Sequence, residues 1–303
     1  MNRRKAELAL AANAVIWGAT FVLVKAALRE ISPALFLTVR FSVAAAALLL
    51  LFPRVWSRPV PWKALAGGAL TGLFLYSGFW LQTQGLRLTT PAKSAFITGL
   101  STVMVPLLAA LVYQIRPQVS EIVGVLLATV GMGLMTLEGA VGSGVIGSGF
   151  AGAIGRGDWL TFCCAVAFAA HIVTLGHFSH QMSFELLSVT QVGTAAVAAF
   201  ALGRLVERSE PVHWRPVVIW AILITGLFAT ALAYTVQSWA QHYTTPTRTA
   251  LIFALEPVFA WITSYLLTGE SLSRQAAAGA ALILGGVIFV EMKPFNSRLH
   301  PSE

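Results

Sequence analysis

The sequence predicts an all-α membrane protein with ten transmembrane helices, arranged as two inverted repeats of five helices each. Two observations predict this fold. Hydrophobic residues make up 57% of the chain and charged residues only 11%, a composition that excludes an ordinary soluble domain. The second half also repeats motifs of the first, because Thr90-Pro91 recurs as Thr245-Pro246 and Gln82 recurs as Gln237. An internal repeat in so apolar a chain is typical of a transporter whose binding site lies between the halves.

The individual helices are predicted from apolar stretches of roughly 20 residues, the length needed to cross a bilayer. Short breaks marked by proline, glycine or charged residues separate them. A helix is expected for each stretch, since it satisfies its own backbone hydrogen bonds in lipid. Spans 1 to 5 are predicted at 8–28, 34–52, 63–84, 92–113 and 119–138. Spans 6 to 10 are predicted at 158–179, 184–205, 215–239, 247–267 and 273–292.

The domain organisation follows from these spans. Residues 1–138 form the first predicted repeat and residues 158–292 the second. A flexible linker at 139–157 joins them, and it carries eight glycines. Its Gly142–Gly147 segment matches GxGxxG formally, but it lies between two spans with no preceding strand, so we do not interpret it as a dinucleotide motif. Residues 293–303 are predicted to be a cytoplasmic tail.

The basic residues near the span ends predict the orientation. With the N-terminus in the cytoplasm, the first half places most of its basic residues inside, as the positive-inside rule requires. These residues are Arg3, Arg4, Lys5, Arg54, Arg58, Lys63 and Arg116. We therefore expect both termini in the cytoplasm and a multi-pass monomer in the lipid bilayer of the cell membrane, in the bacterial inner membrane. The net charge of +8 is explained by lipid-side residues, so no nucleic-acid partner is expected.

Several motifs together resemble one family of membrane proteins. They are Ala14-Val15-Ile16-Trp17-Gly18, Val39-Arg40-Phe41, Pro106–Leu111 and Leu255-Glu256-Pro257-Val258-Phe259 continuing to Ser273. The chain is similar over residues 7–292 to the drug/metabolite transporter superfamily, in its EamA branch of ten-helix, two-repeat proteins. The turn signature Thr268-Gly269-Glu270 is complete only in the second half, because the first half has Gln114-Ile115-Arg116. The resemblance implies transport of a small molecule through a central cavity lined by spans 1, 3, 4, 6, 8 and 9, with spans 5 and 10 outside.

Polar and aromatic residues form stripes on four of the predicted helices. Span 3 carries Gly72, Tyr76, Phe79, Trp80 and Thr83 on one face, and span 8 carries Gly226, Thr230, Tyr234, Gln237 and Gln241. Spans 4 and 9 carry Ser94, Thr98 and Ser101, and Thr249, Phe253 and Glu256. Unpaired amides and hydroxyls are costly in hydrocarbon, so these faces point toward protein or water. Packing between helices and the lining of a cavity both explain the stripes, and four related helices with polar faces favour a shared cavity.

These stripes supply the candidate substrate-binding residues. Aromatic rings would contact an apolar or cationic part of the substrate by stacking or cation–π attraction, while amides and hydroxyls would hold its polar end. His171, inside span 6, is either a hydrogen-bonded packing residue or a proton relay. The candidates are Trp17, Tyr76, Phe79, Trp80, Thr98, Ser101, His171, Tyr234, Gln237 and Gln241.

Two charged residues lie inside predicted spans. Arg40 is in span 2, and Glu256 is near the middle of span 9, where Pro257 should bend the helix because it lacks a backbone donor. Three interpretations stay open: a structural ion pair between Arg40 and Glu256, a role in substrate binding, gating or proton transfer, and an unpaired peripheral position.

The remaining chemistry argues for transport and against catalysis. No HExxH or GxSxG motif is present, and His171, His177 and His180 lack the spacing of metal ligands, so we expect no enzyme activity, metal or cofactor. We predict a secondary transporter that works by alternating access, with protons as a candidate coupling ion. The resemblance to the family implies that it exports amino acids or similar amphipathic metabolites. The alternatives are a non-transporting membrane scaffold and a transporter of drugs, sugars or nucleotide-linked compounds.

The orientation predicts which loops a membrane-impermeant thiol reagent reaches. Ser143→Cys, in the glycine-rich linker, should be labelled in intact cells because five helices place this linker outside. Ser57→Cys, between spans 2 and 3, is the matched control and should be labelled only after permeabilisation. Labelling of Ser143→Cys only after permeabilisation would overturn the inverted five-plus-five arrangement.

Overall fold

A computed structural model describes residues 2–57, 59–88, 94, 97–114, 117–136, 155–206, 214–268 and 273–292, and all regular structure in these ranges is helical. The predicted tail and most of the predicted linker lie outside them. The first half contains α1 (Asn2–Ala27), α2 (Pro33–Leu51), a 3-10 turn (Pro53–Trp56), α3 (Trp62–Leu88), α4 (Ser101–Tyr113) and α5 (Val119–Thr136). The second half contains α6 (Arg156–Phe178), α7 (Phe184–Val206), α8 (Pro216–Gly226), a π-helical segment (Leu227–Leu232), α9 (Ala233–Ala240), α10 (Pro246–Phe253), α11 (Glu256–Thr268) and α12 (Arg274–Glu291).

Short sequence signals begin several of these helices. The hydroxyl of Ser32 accepts a hydrogen bond from the backbone N–H of Leu35, and Pro33 occupies the first position of α2. Thr245 caps α10 in the same way, with Pro246 following it, and Ser273 caps α12. A hydroxyl at the N-cap satisfies a backbone donor that the helix leaves free, and proline loses nothing there.

The helices are long and apolar enough to identify a membrane protein. Six helices of the described residues could cross a bilayer by length and composition, and three shorter apolar helices accompany them. Their outer surfaces are apolar, since Leu50 is 82% and Leu205 is 84% exposed, whereas Gln191 and Gln241 are fully buried. This distribution suits a lipid environment, in which polar groups must find partners inside the protein. The all-helical membrane class is confirmed, and the count of ten crossings stays a prediction.

The predicted ninth span differs most from a continuous helix. It is divided into α10 and α11 by a turn at Ala254 and Leu255. Glu256 is the first residue of α11, and Pro257 follows it. The break therefore lies immediately before the Glu256-Pro257 pair, where the missing backbone donor of proline weakens a continuous helix.

The main helix contacts join the first half of the chain to the second. α3 packs along α6 and α7, α2 packs against α7, and α1 packs against α11. Glycines allow the close approaches: a Cβ built on Gly78 would lie 2.5 Å from the Phe168 ring, and one on Gly18 would lie 2.8 Å from the Glu256 carbonyl oxygen. Small residues at such crossings bring helices into contact in membranes, where no hydrophobic force drives them together. The halves thus meet along an extensive seam.

α5 and α12 form a second seam with a symmetric pattern. A Cβ on Gly131 would lie 2.5 Å from the carbonyl oxygen of Gly279, and one on Gly286 would lie 2.8 Å from that of Gly124. The two helices are antiparallel, because residue 124 faces 286 and residue 131 faces 279. Gly124 and Gly131 correspond in the sequence repeat to Gly279 and Gly286. Each contact therefore has a counterpart in which the two halves exchange roles.

Neighbouring glycines of α12 should respond oppositely to alanine. Gly286→Ala should lower the melting temperature in detergent, because the new methyl group meets the backbone carbonyl of Gly124. Gly285→Ala is the matched control, since nothing lies within 4 Å of its Cβ position. There alanine should be neutral or stabilising, by up to about 1 kcal/mol. Equal melting temperatures for the two variants would contradict the α5–α12 packing.

Candidate functional site

A π-helical segment organises the centre of the bundle. Leu227–Leu232 interrupts the α-helical hydrogen bonding between α8 and α9, and such segments frequently occur at functional sites. The carbonyl oxygen of Ala229 accepts a hydrogen bond from Trp17 Nε1 at 2.8 Å and another from Arg40 Nη2 at 3.4 Å. The carbonyl of Ala233 accepts one from Asn13 Nδ2 at 2.7 Å. Side chains of α1 and α2 therefore bind carbonyls of this irregular stretch.

Arg40 is held by neutral groups. It is 4% exposed, its Nε donates to Thr230 Oγ1 at 2.8 Å, and its guanidinium carbon lies 4.5 Å from the centre of the Phe79 ring. Within the described ranges, Arg40 and Glu256 form no ion pair. The structure therefore does not contain the ion pair, which was one of the three interpretations of these two charges. The guanidinium instead donates hydrogen bonds to Thr230 and Ala229.

Five aromatic rings, which we call the aromatic cluster, meet beside Arg40. The ring centres of Trp17 and Phe253 lie 4.8 Å apart, those of Trp17 and Tyr234 5.5 Å, and those of Phe79 and Phe168 5.4 Å. Phe79 and Tyr234 lie 6.3 Å apart. Most of these pairs are edge-to-face, a favourable arrangement for aromatic rings. The cluster draws on α1, α3, α6, α9 and α10, and so on both halves of the chain.

Two other predicted aromatic residues lie next to the cluster. Tyr76 and Trp80 stack on each other at 6.3 Å, and Phe41 connects them to the cluster at 6.4 Å from Tyr76 and 5.5 Å from Phe79. Trp80 is half-buried. The structure therefore brings together the aromatic residues that the stripes of spans 3 and 8 predicted.

Glu256 lies next to α1 at the break between α10 and α11. Its backbone touches Gly18, the residue after Trp17, and Phe253 precedes Glu256 by three residues. The Glu256 side chain is half-buried and forms no hydrogen bond or ion pair with any described residue. A carboxylate at the start of a helix is favoured by the helix dipole.

A polar network lines one side of the aromatic cluster. His171 Nε2 and Gln191 Oε1 are 2.9 Å apart, and Gln191 Nε2 donates to Ser238 Oγ at 2.8 Å. Gln237 Nε2 donates to Gln241 Oε1 at 2.9 Å. His171 is thus hydrogen-bonded within the packed interior, and its ring lies 5.5 Å from Tyr234.

One atom of this network has no partner among the described residues. Gln237 is 1% exposed, and its Oε1 is buried without a hydrogen bond to any of them. Leaving a buried amide acceptor unsatisfied costs about 1–3 kcal/mol. Such an atom in the middle of a bundle indicates a place where a ligand donor or a water molecule binds.

The predicted hydroxyls of span 4 are less closely engaged. Thr98 Oγ1 lies 4.0 Å from Cys164 Sγ on α6. Ser101 begins α4, is half-buried, and forms no hydrogen bond in the described part of the chain. Ser101 lies on α4, which packs against α6 and α10, and Thr98 lies just before this helix. No hydrogen bond between described residues joins either one to the polar network.

Sequence analysis missed some members of the site. Phe168 was recoverable, since the repeat alignment places it opposite Trp17. Asn13 lies one turn before Trp17 and had the same helical spacing as a signal. Gln191 of α7 had no partner visible in the sequence.

A group of buried charges, which we call the charge clasp, was also missed. Glu7 Oε1 lies 3.5 Å from Arg248 Nη1 and 2.7 Å from Arg3 Nε, and Thr244 Oγ1 donates to it at 3.4 Å. Arg248 is 1% exposed. Glu7 precedes Trp17 by about 15 Å along α1, at 1.5 Å per residue, so the clasp joins α1 to α10 near one end of the bundle. Opposite charges at the starts of two predicted spans were its sequence signal.

The comparison with family models matches the chain twice, at residues 4–137 and 155–292, to the EamA-like transporter family. The chain belongs to this family. The resemblance seen in the motifs is therefore confirmed, and the double match agrees with the internal repeat of the sequence. This EamA-family protein is a membrane protein related to transporters.

Its relatives cover nearly the whole chain. An uncharacterized transporter of Archaeoglobus fulgidus is 34% identical over 97% of this chain and 88% of its own length. A protein of Salmonella typhimurium named as a probable amino-acid metabolite efflux pump is 26% identical, with 98% of each chain covered. A solved crystal structure superposes with a TM-score of 0.78 at 20% identity, over 96% of this chain and 99% of that one, and it shares the fold.

The stability of the protein should depend on the hydrogen bond from Arg40 to Thr230. Thr230→Val keeps the shape but removes the acceptor of Arg40 Nε, and a lost hydrogen bond to a buried charged group should cost about 1.5–3 kcal/mol. Thr235→Val in the following helix α9 is the matched control, because among the described residues Thr235 Oγ1 bonds only the carbonyl of Ala231. Thermal unfolding in detergent measures both variants. Equal stabilities would show that Arg40 does not need this contact.

Proposed function

We propose that this EamA-family protein is a secondary active transporter that exports amino acids or similar amphipathic metabolites by alternating access. The observation that carries the proposal is the position of the aromatic cluster. Trp17 and Phe79 come from the first half of the chain, and Phe168, Tyr234 and Phe253 come from the second. A site built by both halves changes shape when the halves move, which is the requirement for alternating access.

The proposed architecture has two inverted repeats of five helices, at 1–138 and 158–292, in the bacterial inner membrane with both termini in the cytoplasm. The antiparallel contact of α5 and α12 supports the inversion. Equivalent helices of two inverted repeats run in opposite directions, and their contacts occur in exchanged pairs, as the glycines of this seam do.

The charge clasp supports a mechanism with one end closed. Glu7 and Arg248 belong to different halves and meet near the N-terminal end of α1. Since burial makes breaking such a pair costly, the clasp holds this end shut until the two halves rock apart. We propose that this end faces the cytoplasm and that the clasp opens when cargo is taken up from inside.

The substrate class is proposed from the site and from one relative. Aromatic rings suit an apolar or cationic portion of the cargo, and Gln237 Oε1 offers an acceptor to its polar portion. The relative named as a probable amino-acid metabolite efflux pump supports an amino acid or a related compound. A proton gradient is the proposed energy source.

Transport by purified protein in lipid vesicles tests the function. Vesicles with and without a pH gradient should accumulate or release one or more free amino acids from a panel that also contains sugars and nucleotides. Movement of no compound in either direction would exclude secondary transport, and dependence on the gradient would identify proton coupling.

A tryptophan pair tests the site. Trp80→Ala should weaken cargo binding by about 1 kcal/mol, or roughly fivefold, because it removes the surface that stacks on Tyr76 at the edge of the cluster. Trp62→Ala on the same helix is the matched control, since Trp62 is 72% exposed at the start of α3. Transport rates and melting temperatures should be measured together. An unfolded Trp80→Ala with a fully active Trp80→Phe would leave packing as the role of Trp80.

A further inference from the structure

We propose that Arg40 and Glu256 recognise the two opposite charges of a zwitterionic substrate, with Arg40 binding a carboxylate and Glu256 binding an ammonium group. This inference rests on the proposed transport function and specifies its substrate class. It starts from two charges of opposite sign that lie beside one aromatic cluster and do not pair with each other.

Arg40 has the surroundings of an anion-binding residue. Its described partners are a hydroxyl, a carbonyl and an aromatic ring, none of which carries a negative charge. They fix the guanidinium on the Nε side and at Nη2, while Nη1 has no hydrogen bond to any described residue. A buried cation without a counter-charge is costly inside a membrane protein. A carboxylate bound to the guanidinium would supply that charge, in a geometry that arginine favours.

Glu256 has the complementary surroundings. Glu256 begins α11 directly after the helix break at Ala254 and Leu255, and its carboxylate is half-buried without a donor among the described residues. Its backbone lies against Gly18, the residue after Trp17, and the Trp17 and Phe253 rings lie 4.8 Å apart. Aromatic faces next to a carboxylate form a favourable environment for an ammonium group.

Both residues are connected to α1 at Trp17 and Gly18. Arg40 and the Trp17 indole share the carbonyl oxygen of Ala229 as acceptor. Gly18, the next residue on α1, touches the Glu256 backbone. A ligand that carries both charges would place its carboxylate at Arg40 and its ammonium group at Glu256.

Ligands with a single charge fit this arrangement less well. A purely cationic ligand would bring a second positive charge close to Arg40 and leave the guanidinium without an anion. A purely anionic ligand would bring a second negative charge close to Glu256 and leave its carboxylate without a cation. Repulsion between like charges is strong where water is scarce, so the arrangement favours a compound that satisfies both residues at once.

The test compares amino acids with analogues that lack one charge. Phenylalanine is compared with phenethylamine and 3-phenylpropionate, and leucine with 3-methylbutylamine and 4-methylpentanoate, by competition for transport in vesicles. The wild-type protein should bind at least one of the two amino acids about tenfold more tightly than either of its analogues, as expected for the loss of a hydrogen-bonded charge. If neither amino acid binds more tightly than its analogues, the inference is overturned.

Variants assign the two charges separately. Arg40→Gln should remove the preference for the amino acid over the amine and keep its preference over the acid, because only carboxylate recognition is lost. Glu256→Gln should have the converse effect. Arg215→Gln and Glu30→Gln are the matched controls. Arg215 Nη1 and Glu30 Oε1 lie 3.4 Å apart in a partly exposed ion pair that is not part of the aromatic cluster. Each control variant should keep the preference for the amino acid over the amine and over the acid.

Folding effects are separated by conservative variants. If Arg40→Gln does not fold, Arg40→Lys retains the charge and should keep the order of the three ligands with weaker binding. A merely structural role for either residue would lower the melting temperature and weaken all three ligands equally, and that result would overturn the inference. Transport of other compounds without any dependence on these charges would overturn it while leaving the transporter function intact. Absence of all transport would refute the proposed function itself.

Discussion

The carbonyl oxygen of Ala229 is the acceptor on which the centre of this protein depends. Ala229 lies in the π-helical segment, and in a membrane a polar backbone group requires a partner inside the protein. Trp17 and Arg40 supply two donors, from two helices of the other half of the chain. The irregular stretch thereby orients an indole and a guanidinium at one point, and the aromatic cluster is built around them.

Two interruptions of helical structure flank that point. One is the π-helical segment beside Arg40, and the other is the break before Glu256. Discontinuous helices in the middle of a bundle present backbone and charged groups that a continuous helix would hide, and transporters place their sites at such positions. Irregularity here has a physical role, since it allows polar groups to face a site inside an apolar chain.

The seam between the halves bears on the alternating access proposed above. Glycine contacts such as Gly18 against α11 bring helix backbones together with few side chains between them. The charge clasp of Glu7 and Arg248 joins the two halves near the N-terminal end of α1. In the proposed mechanism the glycine contacts allow small displacements along the seam, and the clasp breaks when this end opens.

The sequence by itself determined the helical membrane class, the family, the duplication and the aromatic faces of Phe79 and Tyr234, because hydropathy and helical spacing are local properties. Only the tertiary structure decided the partners. Leu227–Leu232 reads as an ordinary apolar helix, and nothing local distinguishes Gly285 from Gly286. Arg40 is bound to Thr230 and not paired with Glu256 because residues distant in sequence determine which donors and acceptors meet. Those contacts depend on how the predicted apolar stretches pack against each other, and the composition of each stretch does not specify that packing.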